Sequence, residues 1–484
     1  MSQSKPNILF LVLDGLSGEK FFGETKTSIT PNIDSWIKKG VYFSQAICSA
    51  QGTIPTVSSL LTSLYPFECV VEAEDTYVIN PKIKTFIHYL KENGYNTYAT
   101  FQNVIYFLGL DKIFSSVDMY DVTFEEKKME KTHEKILENF SNKSLTEPWI
   151  HYLQVYDLHL LAYPIEYRLK HGPPEIRDKS FGKNYFERIV SNMDIWLGKL
   201  LSKINLENTL VIVTADHGLA LSQYDSDVEN YHSENIKKRE HKPGKIFKYA
   251  HKIITKSPKL LFPIRKKLSK TYTRRVDSKI LTQFEPEYER IDNLDISIFK
   301  KRLMKNAIWS YANVYDERFR IPLLFFGNGI SDSRIISQQV RSVDIFPTLL
   351  ETLQINFNQK EIQGQSLLPL FKGEKLEELP VLVEAAPNSP RFFQTNIVGV
   401  RTSNFKYFRN KYDKSLDVHL YNLKIDPHEE NNIVESSPEI LKKMEEILIK
   451  LQNERGFDNE KSHEISDVED GKVVEDVLRK MGYV

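Results

Sequence analysis

Cysteine is nearly absent from this chain, with two in 484 residues, Cys48 and Cys69. That is too few for a disulfide framework, and their spacing fits no zinc pattern. Neither sign of charge dominates. Lys+Arg and Asp+Glu are equal at 65 each, so global charge names no polyanionic partner and nucleic acid is set aside. Long hydrophobic runs are also missing, and none approaches the roughly 18 apolar residues of a membrane-spanning helix. The apolar run Asn7 to Leu13 meets Asp14 at once instead of leading into the small residues of a secretory cleavage site. These absences lead us to expect a soluble, cytoplasmic protein. What is present is ordinary globular material, 41% hydrophobic and 12% aromatic, enough for a large core spread over two or three structural units.

Asn7 to Leu13 is continuously apolar, the pattern of a parallel strand covered on both faces. It delivers Asp14 to the carboxyl end of that strand, where open α/β sheets bind ligands. Thr30-Pro31-Asn32 opens a helix with Ile33, Trp36 and Ile37 on its buried face and Gly40 at its end. Residues 41–47 read as a strand. They lead to Gln51 to Pro66, where Val57, Leu60, Leu61 and Leu64 fall at helical spacing. Thr53 then sits at the start of a helix, where free N–H groups and the positive dipole end favour an anion. It can cap the helix, the favoured role on this window alone, or its hydroxyl can attack a bound phosphorus or sulfur centre.

Further along, a helix is expected over 83–93, a strand over 95–100 and a strand over 150–155 running into Tyr156-Asp157-Leu158-His159. A long helix follows over 186–204, then a strand over 210–213 that delivers Asp216-His217-Gly218. Strands alternating with helices imply a mostly parallel sheet with helices on both faces. Residues 226–305 are polar and aperiodic and read as an insertion, with a dense basic segment at 237–275. Its plain reading is a solvated excursion. Its sharper readings are a basic flap for an anionic substrate, a peripheral membrane contact, or a contact between copies in a homo-oligomer. Residues 321–326 return to the sheet, and 343–353 form a helix. A second unit, 379–484, holds short strands at 381–384, 397–401, 405–409 and 420–423 and a helix at 438–452, with an acidic stretch over 458–471. It reads as a small antiparallel sheet packed on the catalytic unit, 1–378.

Asp14, Asp216 and His217 each follow a predicted parallel strand, so one sheet edge gathers them beside Thr53. Two carboxylates, an imidazole and a hydroxyl make a candidate divalent-metal site for Ca²⁺, Mg²⁺, Mn²⁺ or, through the histidine, Zn²⁺. Singly, each signal is weak: an Asp after a strand is commonly a helix cap, and a histidine such as His159 after an apolar strand is commonly structural.

The chain resembles the sulfatase-like branch of the alkaline phosphatase superfamily. Asn7 to Asp14 is similar to that family's first strand and metal aspartate. Thr30-Pro31-Asn32-Ile33-Asp34 followed by Gly40-Val41-Tyr42-Phe43 is similar to its next segment, and Val213 to Gly218 to its second metal motif. Ile321-Pro322-Leu323, Val343 to Leu349, Gly364 to Leu367, Val400-Arg401-Thr402 with Lys406-Tyr407, Leu420 to Leu423 with Asp426-Pro427, and Glu430-Asn431-Asn432 follow in order. The resemblance implies an alkaline-phosphatase-like α/β fold with a smaller C-terminal antiparallel subdomain. It also implies metal ligands Asp14, Thr53, Asp216 and His217, and a His159 that contacts the transferred group or leaving oxygen.

The departures bear on function. Sulfatases place a residue converted to formylglycine in a Cys-x-Pro-Ser-Arg motif; here that register reads Thr53-Ile54-Pro55-Thr56-Val57, with threonine and valine replacing the convertible residue and the arginine. Cys48 lacks serine and arginine at the required steps. The paired aspartates after the first strand are reduced to Asp14-Gly15. The lysine or histidine that the family places before its Tyr-Glu…Val-Pro segment is not evident, Tyr311 or Asn313 standing near its place. The resemblance therefore implies a metal-dependent hydrolase of phosphate, phosphonate or sulfate esters with a Thr53 nucleophile, acting on a small-molecule or glycan ester. A phosphoethanolamine- or glycerol-phosphate-type transferase and an inactive anionic-ligand-binding member are the alternatives.

Overall fold

The computed structural model describes residues 5–73, 76–102, 108–120, 128–142, 145–219, 226–238, 282, 284–308, 313–385 and 397–454. Its strands are β1 (Asn7–Leu13), β2 (Val41–Ile47), β3 (Val70–Ala73), β4 (Thr76–Ile79), β5 (Asn96–Gln102), β6 (Ser116–Tyr120), β7 (Trp149–Val155) and β8 (Thr209–Thr214). After these come β9 (Arg320–Gly327), β10 (Arg334–Ile336), β11 (Val340–Arg341), β12 (Val381–Glu384), β13 (Ile397–Arg401), β14 (Phe405–Asn410) and β15 (His419–Asn422). The large sheet runs β10-β2-β9-β8-β1-β7-β5-β6, with β11 also paired to β2.

β1 lies near the middle, parallel to β7 on one side and β8 on the other, and all seven of its residues are buried. A strand covered on both faces has no polar face to show, which is why its sequence is an unbroken apolar run. The sheet is mostly parallel, as expected, but β9 is antiparallel to both β2 and β8. Burial alone could not reveal that direction, because β9 is buried between its ends as the parallel strands β1 and β8 are. The β3–β4 hairpin and the edge strand β6 carried no strong period in sequence.

Helix positions follow the apolar spacing with shifted ends. The helix expected from residue 83 starts at Phe86, where Thr85 and His88 cap it reciprocally; the Thr85 N–H donates to His88 Nδ1 at 3.1 Å. The helix Pro31–Lys39 is capped from outside itself. Asp194, on the helix Tyr185–Leu201, accepts from Ile33 N at 2.7 Å and Asn32 N at 3.2 Å. The ends of the expected insertion are not aperiodic: the helices Ser226–Lys238 and Ile298–Ile308 bury Val228, Leu303 and Ala307 against each other. Nearly all of the basic segment 237–275 lies outside the described residues, as do the acidic stretch and the chain beyond 454.

β12-β13-β14-β15 form a separate four-stranded antiparallel sheet. The helix Pro438–Glu454 covers it, with Met444 and Leu448 packed against Val398, Val400, Tyr407 and Leu420. Buried ion pairs tie this sheet to the large one: Lys406, fully buried, sits 2.7 Å from Asp316 and 3.1 Å from Glu429, and Arg401 sits 2.7 Å from Asp316. Among the described residues, no helix is long and apolar enough to cross a membrane.

Candidate active site

β1 and β8 are parallel neighbours in register, Val12 opposite Thr214, so the residues that follow each strand emerge side by side. Asp14 leaves β1 with its N–H on Val155 O at 2.9 Å, and Gly15 turns the chain at φ +78°. Asp216 and His217 leave β8 in the same place. A backbone bridge between Gly15 and Gly218 joins the two turns. Gly218 must be glycine, since a Cβ there would lie 2.4 Å from Glu317 O.

Thr53 arrives after β2, which β9 separates from β8 in the sheet. It is the first residue of the helix Thr53–Thr62, and the cap position belongs to Gly52 at φ +99°, which has no side chain to cap with. The Thr53 hydroxyl makes no cap bond. It points to the cluster instead, with Oγ1 at 3.5 Å from Asp14 Oδ2 and 3.4 Å from His217 Nε2. The helical stripe Val57, Leu60 and Leu61 is buried, which fixes the helix and so aims its first residue.

His159 joins from the short helix after β7. Its Nε2 lies 2.9 Å from Asp14 Oδ1, and its ring stacks on Tyr156 at 3.7 Å between centroids. The preceding Asp157 is held by His133 Nε2 at 3.0 Å and Trp196 Nε1 at 3.1 Å. All four expected metal and catalytic positions beyond Thr53, namely Asp14, His159, Asp216 and His217, therefore converge within one buried cluster. Of the positions near the missing lysine, Asn313 donates its N–H to Gln51 Oε1 at 3.0 Å, and Tyr311 lies outside the described residues.

Sequence reasoning missed two members. Gln102 Nε2 donates to Asp14 Oδ2 at 3.1 Å and Gln154 Nε2 to the same oxygen at 2.9 Å. Gln102 ends β5 and Gln154 sits opposite Val12 on β7. The expected strands stopped short of Gln102 or treated Gln154 as part of an apolar run, and a polar residue at a buried strand end was the available signal.

The electrostatics divide the two aspartates. Burial would raise the Asp14 carboxyl, but His159, His217 and the Gln154 amide outweigh it and hold it below the usual range. The Asp216 carboxyl is pushed up, first by burial and then by the Asp14 charge. Asp216 Oδ1 accepts from His217 N at 2.8 Å and Gly15 N at 3.2 Å, whereas its buried Oδ2 accepts no hydrogen bond among the described residues and has His217 Nε2 at 3.6 Å. Asp14, Asp216 and His217 each offer a donor atom, all within 4.8 Å of one another. Two buried carboxylates with an orphaned oxygen beside an imidazole nitrogen fit a divalent cation. Cys48 has no part in this chemistry. Its buried thiol is pushed up by desolvation and contacts Ala50 O at 3.3 Å.

The comparisons agree with this architecture. The family model described as Sulfatase matches residues 6–355, and one described as N-sulphoglucosamine sulphohydrolase, C-terminal, matches residues 299–454. Arylsulfatase K of Gallus gallus is 22% identical over 477 residues, covering 93% of this chain and 83% of that protein. N-acetylglucosamine-6-sulfatase of Bos taurus is 28% identical over 170 residues, 29% of this chain and 30% of that protein. A solved structure described as in complex with its substrate D-glucosamine-2-N,6-O-disulfate aligns at TM-score 0.62 and 15% identity, over 95% of this chain and 99% of that one. The phosphonate monoester hydrolase of Agrobacterium radiobacter aligns at TM-score 0.61 and 13% identity, over 93% and 96%. These structural likenesses speak for the fold, and the model match over residues 6–355 decides the family: this chain belongs to the Sulfatase family of hydrolases.

Proposed function

We propose that this hydrolase cleaves phosphate or phosphonate esters, and sulfate esters second to these, through a covalent intermediate on Thr53. The observation that carries the reading is the Thr53 hydroxyl itself. It heads a helix without capping it and stands within 3.5 Å of Asp14 and His217. Asp14, Asp216 and His217, with Thr53 Oγ1 beside them, would hold a divalent cation, which supplies positive charge to acidify the hydroxyl and neutralise ester oxygens. Thr53 Oγ1, acidified and having given its proton to water, forms the new bond to phosphorus as the bond to the leaving oxygen breaks. His159 gives the proton held at its Nε2 to the departing oxygen. Water then attacks the phosphorus of the phospho-Thr53 ester and returns the free hydroxyl. The first turn of the Thr53–Thr62 helix favours the anionic group through its N–H donors and dipole.

Phosphorus is favoured because Thr53 has one hydroxyl on a methyl-bearing carbon. It cannot expel a bound group by collapse to an aldehyde, as a formylglycine hydrate can, so the intermediate must be resolved by attack on the central atom. Sugar esters are the first substrates to test, given the disulfated glucosamine described for a structural neighbour.

The test combines turnover of aryl phosphate mono- and diesters, aryl phosphonates, aryl sulfates and sulfated sugars, with divalent cations added, and peptide mass spectrometry of quenched enzyme. Phosphorus ester turnover with a phosphoryl adduct on the peptide containing Thr53 supports the reading. Sulfate turnover with no adduct on Thr53 overturns it. Turnover only in the presence of an acceptor alcohol makes the enzyme a transferase, and no bound metal with no turnover makes it a binding member.

A further inference from the structure

We infer that Gln102 and Gln154 are positioning residues that set the cation affinity of the cluster by clamping one oxygen of Asp14. This inference rests on the metal-site reading above. Both glutamines are fully buried, on strands that lie next to each other in the sheet, β5 and β7, and both amides donate to Asp14 Oδ2, at 3.1 and 2.9 Å. The two buried amides are the close donors to this oxygen, and the Thr53 hydroxyl stands at the outer limit of 3.5 Å from it. Oδ2 is thus the anchored oxygen, and Oδ1, facing His159, is the one that can exchange partners.

The amides are themselves held in one orientation. The Tyr152 hydroxyl donates to Gln154 Oε1 at 2.8 Å. The Tyr120 hydroxyl donates to Gln154 O at 2.6 Å and also reaches Gln102 Oε1 at 3.4 Å. Burial keeps both phenols protonated and therefore donors. The Tyr152 hydroxyl occupies Gln154 Oε1 and turns that NH₂ towards the carboxylate, whereas the Tyr120 hydrogen goes to Gln154 O and leaves Gln102 Oε1 the longer contact. The clamp fixes the Asp14 carboxylate without adding charge, so the cluster keeps two carboxylates to balance one divalent cation. An acid at either position would repel Asp14, and an apolar residue would free it to rotate. Groups that orient a metal ligand in this way typically change affinity by roughly 10–100-fold when removed.

The experiment is calorimetric titration of Mn²⁺ into the whole, metal-stripped protein, with the melting temperature of the stripped protein measured alongside. Wild type, Q102L, Q154L and Y152F are compared. The expected result is a Kd for Mn²⁺ raised roughly 10–100-fold in each leucine variant, with a smaller rise in Y152F, which keeps the amide but loosens it. A Kd unchanged from wild type in Q102L and Q154L overturns the inference, even if their melting temperatures fall, since a structural role alone would lower stability without touching affinity. Should Q154L fail to fold, Q102L on the other strand and the hydroxyl-only change Y152F decide by the same comparison. A wild type that binds no Mn²⁺ overturns both this inference and the metal-site reading, whereas binding that the variants leave unaltered overturns this one alone.

Discussion

Thr53→Ala separates the two roles that a threonine at a helix start can play, because they predict opposite pairs of results. Were Thr53 a cap, its loss would cost about 1 kcal/mol of stability and leave chemistry intact. In the structure Gly52 holds the cap position and the Thr53 hydroxyl has, among the described residues, two hydrogen-bond contacts, at 3.5 and 3.4 Å, the outer edge of hydrogen bonding. Removing it should forfeit well under about 1 kcal/mol. Alanine's better helix propensity returns about 0.5 kcal/mol of that. The net change in stability should lie near zero, a shift of no more than about 2 °C in melting temperature for a chain of this size. Turnover should fall on the order of 10³-fold or more, equivalent to about 4 kcal/mol of barrier. Thr53→Ser keeps the hydroxyl and should keep measurable turnover and the covalent adduct. The assays are thermal unfolding and ester hydrolysis on the same preparations. A T53A protein that hydrolyses at the wild-type rate, or that loses a full cap's worth of stability, refutes the nucleophile assignment.

Three further predictions follow from buried charge. Asp216→Asn keeps the Oδ1 acceptor for Gly15 and His217 but removes a carboxylate that burial and Asp14 both disfavour. The stripped protein should melt higher than wild type and gain no melting temperature from added Mn²⁺. Burial lifts the Glu229 carboxyl from 4.5 to about 7 despite Arg168 and Arg188. A raised acid favours the fold while protonated, and that advantage is lost as pH rises through about 7. Glu229→Gln should therefore exceed wild type by up to about 3 kcal/mol in urea unfolding at pH well above this value, and the gap should close below pH 4.5. Lys406→Met takes the buried ammonium from Glu429 and leaves Asp316 with Arg401 alone, and should cost about 3–5 kcal/mol in the same assay.

Much of the frame was legible because it is encoded locally. The unbroken apolar run of β1, the stripe Val57, Leu60 and Leu61, and the glycine ending Pro31–Lys39 report what each segment must bury, and burial fixes strand or helix at that point. The placement of Asp14, Asp216 and His217 at strand ends also followed, since parallel neighbours in register present their carboxyl ends together. Other features depend on partners far away in the chain, and no periodicity records those. β9 runs antiparallel because of how the chain returns to the sheet, not because of its composition.

The clamp on Asp14 joins residues 88 and 140 positions apart, and the His159 contact joins residues 145 apart. A glutamine in a strand looks the same in sequence whether it faces solvent or a buried carboxylate. The same holds for Thr53: the sequence placed it at a helix start, and only the packed structure decided that Gly52 takes the cap and the hydroxyl turns to the cluster. Local sequence sets which elements form. Which side chains meet is set by how those elements pack, because a buried polar group must find its partner wherever the fold brings one.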